Sequence, residues 1–380
     1  MPDRIPYGRQ SIDEEDIAAV SDVLRSDFLT TGPAIPAFER AIATASGAPH
    51  AVAVNSGTAA LHAMYFAAGI GPGDEIITSP LTFAATANAA LYLGASVRFS
   101  DVDALTGNLD PALVEYQIRD RTKAIVAIDY AGQPADYDAL GAIAERHGLV
   151  LLADAAHSLG ATDRGRPAGT LADASAFSFH PVKPITTGEG GAVVTADAEL
   201  ASRARRFRTH GITRELDEME RNDGPWFYEQ HDLGFNYRLT DLQAALGTSQ
   251  LRHLDRFVNR RREIAAAYDS QLADVAGLEL PTVRHGADPG WHLYVVMVRD
   301  EKKRRRFFER LQELGLGVQV HYIPVYAHPY YRRIGFEPGT CPIAEDRYAR
   351  SISLPIFPRL SDFELADVIE RVRTAATDSL

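Results

Sequence analysis

The sequence has few sulfur atoms and no excess of basic residues. Cys341 is the single cysteine among 380 residues, so one chain can build neither a disulfide framework nor a cysteine-based metal site. We expect no bound metal. The formal net charge of −12 argues against a general role in binding nucleic acids or membrane surfaces, and an anionic substrate would need local cations.

Long hydrophobic runs are also missing. The apolar stretches are interrupted well before the length that spans a bilayer, and the first ten residues, MPDRIPYGRQ, lack the apolar core of a signal peptide. These absences predict a soluble cytoplasmic protein with no nucleic-acid or membrane partner. The composition, 46% hydrophobic and 24% charged, is ordinary for a globular enzyme.

The N-terminal half of the chain has the rhythm of an α/β protein. From Ala51 onward, short apolar strands alternate with small loops and helices. Before them, Ser11 with Glu14 three residues later predicts a capping box for a helix that stops near Ser26. The length allows two domains and a large buried core.

The rhythm changes near residue 250. The pattern there predicts one long helix over 250–272, followed by strands over 293–298 and 318–322. We therefore expect two domains, residues 1–250 and residues 251–380.

One stretch between two predicted strands combines unusual residues. Apolar runs over 174–179 and 192–195 predict buried strands. Lys183 lies between them with a proline on either side, which stiffens the backbone from which its side chain leaves. The small-residue turn over 186–191 lets the chain pass close to a bulky group. A β-hairpin with a chance lysine is the alternative interpretation.

Four side chains suited to chemistry come directly after predicted strands: Ser56, Phe83, Asp154 and Lys183. Ligands of open α/β sheets bind outside the carboxyl ends of the strands. We therefore expect these side chains to lie at one edge of the sheet and to form a site. Phe83 could also be ordinary core packing, which is where most phenylalanines lie.

Other members of this group also have structural explanations. Ser56, Gly57 and Thr58 open a helix whose free N–H groups could hold a phosphate, yet serine and threonine also cap helices without a ligand. A buried Asp154 needs a partner, and a backbone amide or Ser158 could serve.

Residues 178–191, SFHPVKPITTGEGG, resemble the cofactor-lysine motif of the DegT/StrS family of nucleotide-sugar aminotransferases, which are fold-type I pyridoxal-phosphate (PLP) enzymes. The resemblance extends from Tyr7 to the last helix. It implies a large, mostly parallel α/β/α sheet domain that binds PLP and a smaller C-terminal α/β domain. Within the family, the chain is most similar to the 4-aminotransferases of pseudaminic-acid pathways.

The resemblance also implies roles for single residues. Lys183 would bind the PLP aldehyde as a Schiff base and move protons, and Asp154 would pair with the pyridinium nitrogen. His157 stands where the family often has glutamine, so a capping or packing role stays open. The implied cofactor-binding residues are Ser56, Gly57, Thr58, Phe83, Asp154, His157, Ser178, Lys183 and Asn236. The implied substrate-binding residues are Tyr7, Asp27, Phe28, Leu29, Thr30, Gln319, Val320, His321 and Tyr322.

A second stretch, residues 234–245 (GFNYRLTDLQAA), resembles another family motif. In that motif Asn236 would reach the PLP phosphate of a partner subunit, which implies a homodimer with active sites at the interface. Thr240 also fits a plain helix N-cap. For residues 27–30 a simple helix connection is the alternative.

The implied reaction uses L-glutamate to aminate C4 of a nucleotide-linked 4-keto-6-deoxy hexose, with UDP as the expected nucleotide, giving 2-oxoglutarate and a 4-amino sugar for a surface glycan. The motifs leave open a dTDP- or GDP-linked sugar, or amination at C3. A dehydratase variant is disfavoured because it replaces the lysine with histidine, whereas position 183 is lysine. A PLP-binding regulator without turnover lacks any helix–turn–helix signal in its support. A plain structural α/β domain would make the group of side chains a coincidence.

Overall fold

A computed structural model describes residues 4–380 of the chain. The strands are β1 (His50–Val54), β2 (Glu75–Thr78), β3 (Ser96–Phe99), β4 (Thr122–Ile128), β5 (Val150–Asp154), β6 (Thr162–Asp163), β7 (Arg166–Pro167), β8 (Ala174–Ser178), β9 (Gly191–Thr195), β10 (Ile212–Thr213), β11 (Glu229–Gln230), β12 (Leu278–Glu279), β13 (Ala287–Asp288), β14 (Tyr294–Val298) and β15 (Ser351–Leu354). The α-helices are α1 (Glu14–Arg25), α2 (Ala34–Ser46), α3 (Gly57–Ala67), α4 (Ala85–Tyr92), α5 (Pro111–Gln117), α6 (Tyr137–His147), α7 (Ala198–Phe207), α8 (Asp241–Leu251), α9 (Leu254–Leu272), α10 (Glu301–Glu313), α11 (Pro329–Arg333), α12 (Pro342–Arg350) and α13 (Asp362–Ser379).

The main sheet has the strand order β1-β9-β8-β5-β4-β2-β3. Strands β8, β5, β4, β2 and β3 pair in parallel, and β9 runs antiparallel between β1 and β8. The carboxyl ends of the parallel strands therefore meet at one edge, where ligands of such sheets bind. The expected α/β fold with a large, mostly parallel sheet is confirmed.

Both faces of this sheet are covered by helices. Ile76 and Leu152 pack into one core with α3, α4 and α7, while their neighbours Ile77 and Leu151 pack into another with α2, α6 and α8. Successive residues of a strand point to opposite faces. Because both faces are buried, the strands read as continuous apolar runs in the sequence.

The C-terminal region of the chain has a sheet and a core of its own. Strands β12, β14 and β15 pair antiparallel. Apolar residues of α9, α10 and α13, such as Ile264, Phe307 and Val368, pack into the core beside them. This arrangement agrees with a smaller C-terminal α/β unit.

The expected helix over 250–272 is wrong at its start. Helix α8 ends at Leu251, the N–H of Arg252 bonds back to the Ser249 carbonyl, and α9 begins only at Leu254. The chain therefore bends between the two helices.

We propose that this bend marks the boundary between a unit of residues 1–250 and a unit of residues 251–380. The first three residues of the N-terminal unit lie outside the described stretch of the chain.

The expected strand over 318–322 is also wrong. Only Gln319 forms a bridge there, to Ser353 of β15, and β15 is the strand that pairs with β14. The hydroxyl of Tyr130 donates to the His321 carbonyl at 2.5 Å, so a side chain takes an acceptor that a ladder would have used. The segment leaves the sheet and points toward the edge described above.

The first helix is capped by a different residue from the one expected. The Asp13 carboxylate, not Ser11, accepts hydrogen bonds from the N–H groups of Glu15 and Asp16, and Asp16 completes the capping box. The Ser11 carbonyl accepts a bond from the Gln250 side chain, which holds this residue against α8 instead.

No helix within residues 4–380 combines the length and the apolar character needed to cross a lipid bilayer. In the same residues, no three or more His, Cys, Asp or Glu side chains gather as a metal site would require.

Candidate active site

The hairpin named above as an alternative exists, and its connection carries Lys183. Strands β8 and β9 pair antiparallel, so both chain ends of the connection are fixed by the main sheet. The N–H of Lys183 donates to the His180 carbonyl at 2.9 Å. The buried guanidinium of Arg261 donates to the Val182 carbonyl at 3.3 Å. The backbone on either side of the lysine is therefore held in place.

The amine of Lys183 has an unusual acidity. Burial lowers the pKa of Lys183 to about 8; the Asp154 carboxylate acts in the opposite direction, and the Arg261 guanidinium adds to the lowering. The residue as a whole is only partly buried, but its charged end is enclosed, and that end sets the pKa. About a tenth of such amines are neutral at pH 7 and about half at pH 8, so this nitrogen can act as a base or nucleophile.

Asp154 ends β5 and is buried. The Thr86 hydroxyl donates to its Oδ2 at 2.5 Å, and the Ala156 N–H donates to its Oδ1 at 3.2 Å. Ser158, the alternative partner, donates to Asp129 at 2.5 Å instead. Burial raises the pKa of Asp154, while these two hydrogen bonds and the Lys183 charge lower it. Both hydrogen bonds come from neutral donors, so the carboxylate is suited to a cationic ligand.

The start of α3 lies beside the end of β8. The Ser56 hydroxyl caps α3 by accepting from the Ala59 N–H at 3.0 Å. A Cβ on Gly57 would lie 2.8 Å from the Ser178 Cβ, so only glycine allows this approach. Within residues 4–380, the N–H groups of Gly57 and Thr58 have no hydrogen-bond acceptor. Such a helix N-terminus favours an anion.

His157 joins this edge to the segment that follows residue 318. Its Nε2 lies 3.1 Å from the Tyr322 hydroxyl, and its ring lies 4.3 Å from the His292 ring. The Tyr7 ring lies 5.6 Å from the His321 ring. Burial, aided by the Lys183 charge, holds the pKa of His157 well below its usual range. The imidazole is therefore neutral and adds no charge to the site.

Other predicted site residues lie on the surface. The side chains of residues 27–30 are exposed, and their backbone pairs with the start of α8: Thr30 bridges Thr240, and the Leu29 carbonyl accepts from Asp241 at 3.0 Å. Asn236 is exposed as well, and its carbonyl accepts a bond from the Asn55 side chain at 3.4 Å. The structure does not join residues 27–30 to Tyr322 by any hydrogen bond.

Phe83 is 64% exposed, so it is not core packing. It lines an open cavity of about 450 Å³ between the start of α4 and residues 320–331. Val320 and Tyr322 line the same cavity, whereas Gln319 points to solvent. A cavity of this size can hold a small organic ligand.

The sequence interpretation missed three residues that shape the site. Thr86 binds Asp154, and Tyr130 holds the His321 carbonyl. Tyr130 comes two residues after the end of β4, so the strand-end rule could have found it, whereas Thr86 lies in the first turn of α4, the helix that follows β2. Arg261 gave no such signal, because it belongs to a run of three arginines that is typical of a solvated helix face.

These groups fit PLP in their chemistry. An enclosed amine with a lowered pKa suits an aldehyde, a buried carboxylate held by neutral donors suits a ring nitrogen cation, and an open helix N-terminus suits a phosphate. All three lie at the same edge of one sheet.

Comparison with known proteins agrees with this geometry. Residues 10–373 match the model of the DegT/DnrJ/EryC1/StrS aminotransferase family. The chain belongs to this family. It is a PLP-dependent sugar aminotransferase with a fold-type I architecture.

Individual relatives cover nearly the whole aminotransferase. The spore coat polysaccharide biosynthesis protein SpsC of Bacillus subtilis (strain 168) is 44% identical over 97% of this chain and 96% of its own length. Helicobacter pylori PseC, an aminotransferase involved in the biosynthesis of pseudoaminic acid, is 33% identical, covers 99% and 100% of the two chains, and superposes with a TM-score of 0.92. The PLP-form of Spr1654 from Streptococcus pneumoniae is 30% identical over 99% and 100%, with a TM-score of 0.93.

Proposed function

We propose that this aminotransferase moves the amino group of L-glutamate to C4 of a UDP-linked 4-keto-6-deoxy hexose, giving 2-oxoglutarate and a 4-amino sugar. The specific activity proposed is that of a UDP-4-amino-4,6-dideoxy-N-acetyl-β-L-altrosamine transaminase in pseudaminic-acid-type surface glycan biosynthesis. The names of PseC and SpsC, which belong to sugar and polysaccharide pathways, support this assignment.

The observation that carries the transamination chemistry is the pair of Lys183 and Asp154 at one sheet edge. PLP, when bound, supplies an aldehyde that bonds to amines and a ring that withdraws electrons. In this proposal, Nζ of Lys183 is the amine that holds the cofactor. Once free, this nitrogen would take a proton from the α-carbon of the donor and, in the second half of the reaction, deliver a proton to C4 of the sugar. Its pKa of about 8 suits a base near neutral pH.

Asp154 would hold a proton on the ring nitrogen, because a contacting carboxylate favours the charged form of its partner. The free N–H groups of Gly57 and Thr58, with the hydroxyls of Ser56 and Ser178, would bind the phosphate. His157 would orient the cofactor as a neutral hydrogen-bonding group.

We propose that the sugar lies between Phe83 and the segment of Tyr322, in the open cavity described above. Tyr7 and His321, whose rings lie 5.6 Å apart, would contact the same substrate. Phe83 would cover the ring of the cofactor, as its exposure allows.

The exposed residues 27–30 and Asn236 would complete the site of a second copy, so a homodimer belongs to the proposal. A cytoplasmic location is a separate part of the proposal. Gln319 and Val320 would line the nucleotide end.

The test is an assay of purified enzyme with PLP, L-glutamate and a panel of nucleotide sugars: UDP-, dTDP- and GDP-linked 4-keto sugars and one 3-keto sugar. We expect kcat/KM for the UDP-linked 4-keto sugar to exceed the others by about tenfold or more, because a site that hydrogen-bonds its substrate discriminates strongly. Product regiochemistry is read by NMR and 2-oxoglutarate by a coupled assay. A higher kcat/KM for a dTDP-linked or 3-keto sugar would replace the substrate assigned here, and PLP binding without any 2-oxoglutarate would favour a regulatory protein.

A further inference from the structure

A chain of two threonine hydroxyls leads to the Asp154 carboxylate. Thr86 Oγ1 lies 2.5 Å from Oδ2 of Asp154, and Thr82 Oγ1 lies 2.8 Å from Thr86 Oγ1. All three residues are buried, Thr86 completely. Neither threonine belongs to the set that the sequence predicted.

The direction of the protons in this chain follows from the chemistry of each group. An ionised carboxylate only accepts, and a hydroxyl has one proton to donate. Thr86 must therefore donate to Asp154, which leaves its own oxygen to accept from Thr82. The Phe83 carbonyl, at 3.3 Å from Thr86 Oγ1, is a poorer acceptor at a longer distance. The Thr82 hydroxyl thus donates to Thr86, and the Thr86 hydroxyl donates to the carboxylate. Each of these two hydrogen bonds polarises and strengthens the other.

Thr86 is itself fixed from several sides. It lies in the first turn of α4, and its carbonyl accepts a bond from the buried Tyr65 hydroxyl at 3.1 Å. Its side chain holds Oδ2 of Asp154 while the Ala156 N–H holds Oδ1. One donor on each oxygen fixes the plane of the carboxylate and so the direction in which it faces.

We propose that Thr86, supported by Thr82, is a positioning residue that keeps Asp154 ionised and aimed at the cofactor's ring nitrogen. This inference rests on the proposed role of Asp154. Hydrogen bonding to the charged form of a carboxylate favours that form. A loss of the Thr86 hydroxyl would therefore make the carboxylate easier to protonate and weaken its pairing with the cofactor.

Several other titratable groups act on the same carboxylate, and none of them is altered in the variants compared below. The titratable groups around Asp154 are Lys183, His157, Asp129, Tyr65, Tyr137 and Tyr322. Burial keeps the pKa of His157 low and those of the tyrosines high, so these groups remain neutral at the pH values used. Burial raises the pKa of Asp129 to about 6 and lowers that of Lys183 to about 8, so both groups titrate in this range, but they do so in the wild type and in every variant alike.

The experiment compares Thr86→Val, Thr86→Ser, Thr82→Val and a matched control, Thr78→Val. Thr78 is equally buried, and its hydroxyl donates to the Val126 carbonyl at 2.9 Å instead of to Asp154. PLP is titrated into each full-length apoenzyme between pH 5.5 and pH 8, and the dissociation constant is measured at each pH.

We expect Thr86→Val to weaken PLP binding by about 10- to 100-fold, the range for a hydrogen bond to a charged group. On acidification, the PLP affinity of Thr86→Val should begin to fall at a higher pH than the PLP affinity of the wild type. The reason is that Asp154 is protonated more easily without the Thr86 hydroxyl. Thr86→Ser should restore the affinity to within about threefold and Thr82→Val should lose less than Thr86→Val, since both keep the direct donor. The Thr78→Val enzyme should bind PLP as the wild type does.

Wild-type affinity and an unshifted pH profile in Thr86→Val would overturn the inference. An equal loss in Thr78→Val would overturn it too, because the effect would then come from general destabilisation. The PLP titrations need no sugar, so an error in the proposed substrate leaves their result intact. If Thr86→Val is normal while Lys183→Ala loses the visible absorbance of bound PLP, this inference fails and the proposed function stands.

Discussion

The site has a buried region and an exposed region, and they are built differently. In the buried region, each reactive side chain is held by the interior of its own chain: Asp154 by Thr86 and Ala156, and the Lys183 loop by Arg261. In the exposed region, residues 27–30 use only their backbone for pairing, and their side chains face outward.

The difference shows how much of the site a single chain can complete. Burial shifts the pKa of Lys183 to about 8 and raises that of Asp154, so the groups that would do chemistry are tuned by the core. The core places no such constraint on Asn236 and Phe83, since both side chains are exposed. We infer that the exposed region needs a second surface, such as another copy of the chain, before its side chains have fixed positions.

Replacing the buried amine tests the first half of this comparison and should have the largest effect. Lys183→Ala and Lys183→Arg should lower kcat by about 10³-fold or more, because neither side chain supplies a neutral primary amine near pH 7. The visible absorbance of bound PLP should disappear in both variants. Lys123, which is exposed on β4, provides the control: Lys123→Ala should keep wild-type kcat. Turnover by Lys183→Ala within tenfold of the wild type would remove the amine from the mechanism.

The lowered pKa of Lys183 also predicts a change in stability with pH. The folded value, about 8, lies below that of the unfolded chain, so the unfolded state binds more protons between the two values. Stability of the cofactor-free protein should therefore rise with pH from about 8 to about 10.4. Lys183→Met removes this cost and should raise the free energy of unfolding by roughly 3 kcal/mol relative to the wild type at pH 7, and by less than about 1 kcal/mol at pH 10.

Urea unfolding at one fixed protein concentration measures this difference, since association would change the apparent stability. Lys123→Met controls for the exchange of a lysine for methionine and should show no pH-dependent difference. A constant gap between Lys183→Met and the wild type from pH 7 to pH 10 would show that the amine is not perturbed by burial.

The buried region was also the easier one to predict from sequence. Apolar runs located the strands because the main sheet is buried on both faces, and residues such as Asp154 followed from the strand-end rule. The bend after Leu251 was missed, because helix periodicity continues through the two turn residues, Arg252 and His253, which only the backbone hydrogen bonds reveal. The region 318–322 was misread because its apolar pattern resembles a strand, whereas Tyr130, far away in sequence, takes its carbonyl.

Arg261 shows a limit of a different kind. It stands in a run of arginines that normally marks a solvated helix face, yet it is buried and donates to four carbonyls, including those of Val182 and Ile356. Sequence alone does not show which of three adjacent arginines faces the core, because that depends on how α9 packs against three distant segments, around Val182, Trp291 and Ile356.

Asn236 tests the exposed region and should have the smallest effect. Asn236→Ala should lower kcat/KM by about tenfold, the cost of one hydrogen bond to a charged group. If its amide serves a partner's site, an equal mixture of Lys183→Ala and Asn236→Ala chains, refolded together, should recover activity. Half of the dimers are then hybrids with one complete site, so about a quarter of wild-type activity is expected. The unmixed variants are the controls. Activity equal to the average of the two separate variants would place Asn236 in the site of its own chain, which its bond to Asn55 beside the start of α3 makes the natural alternative.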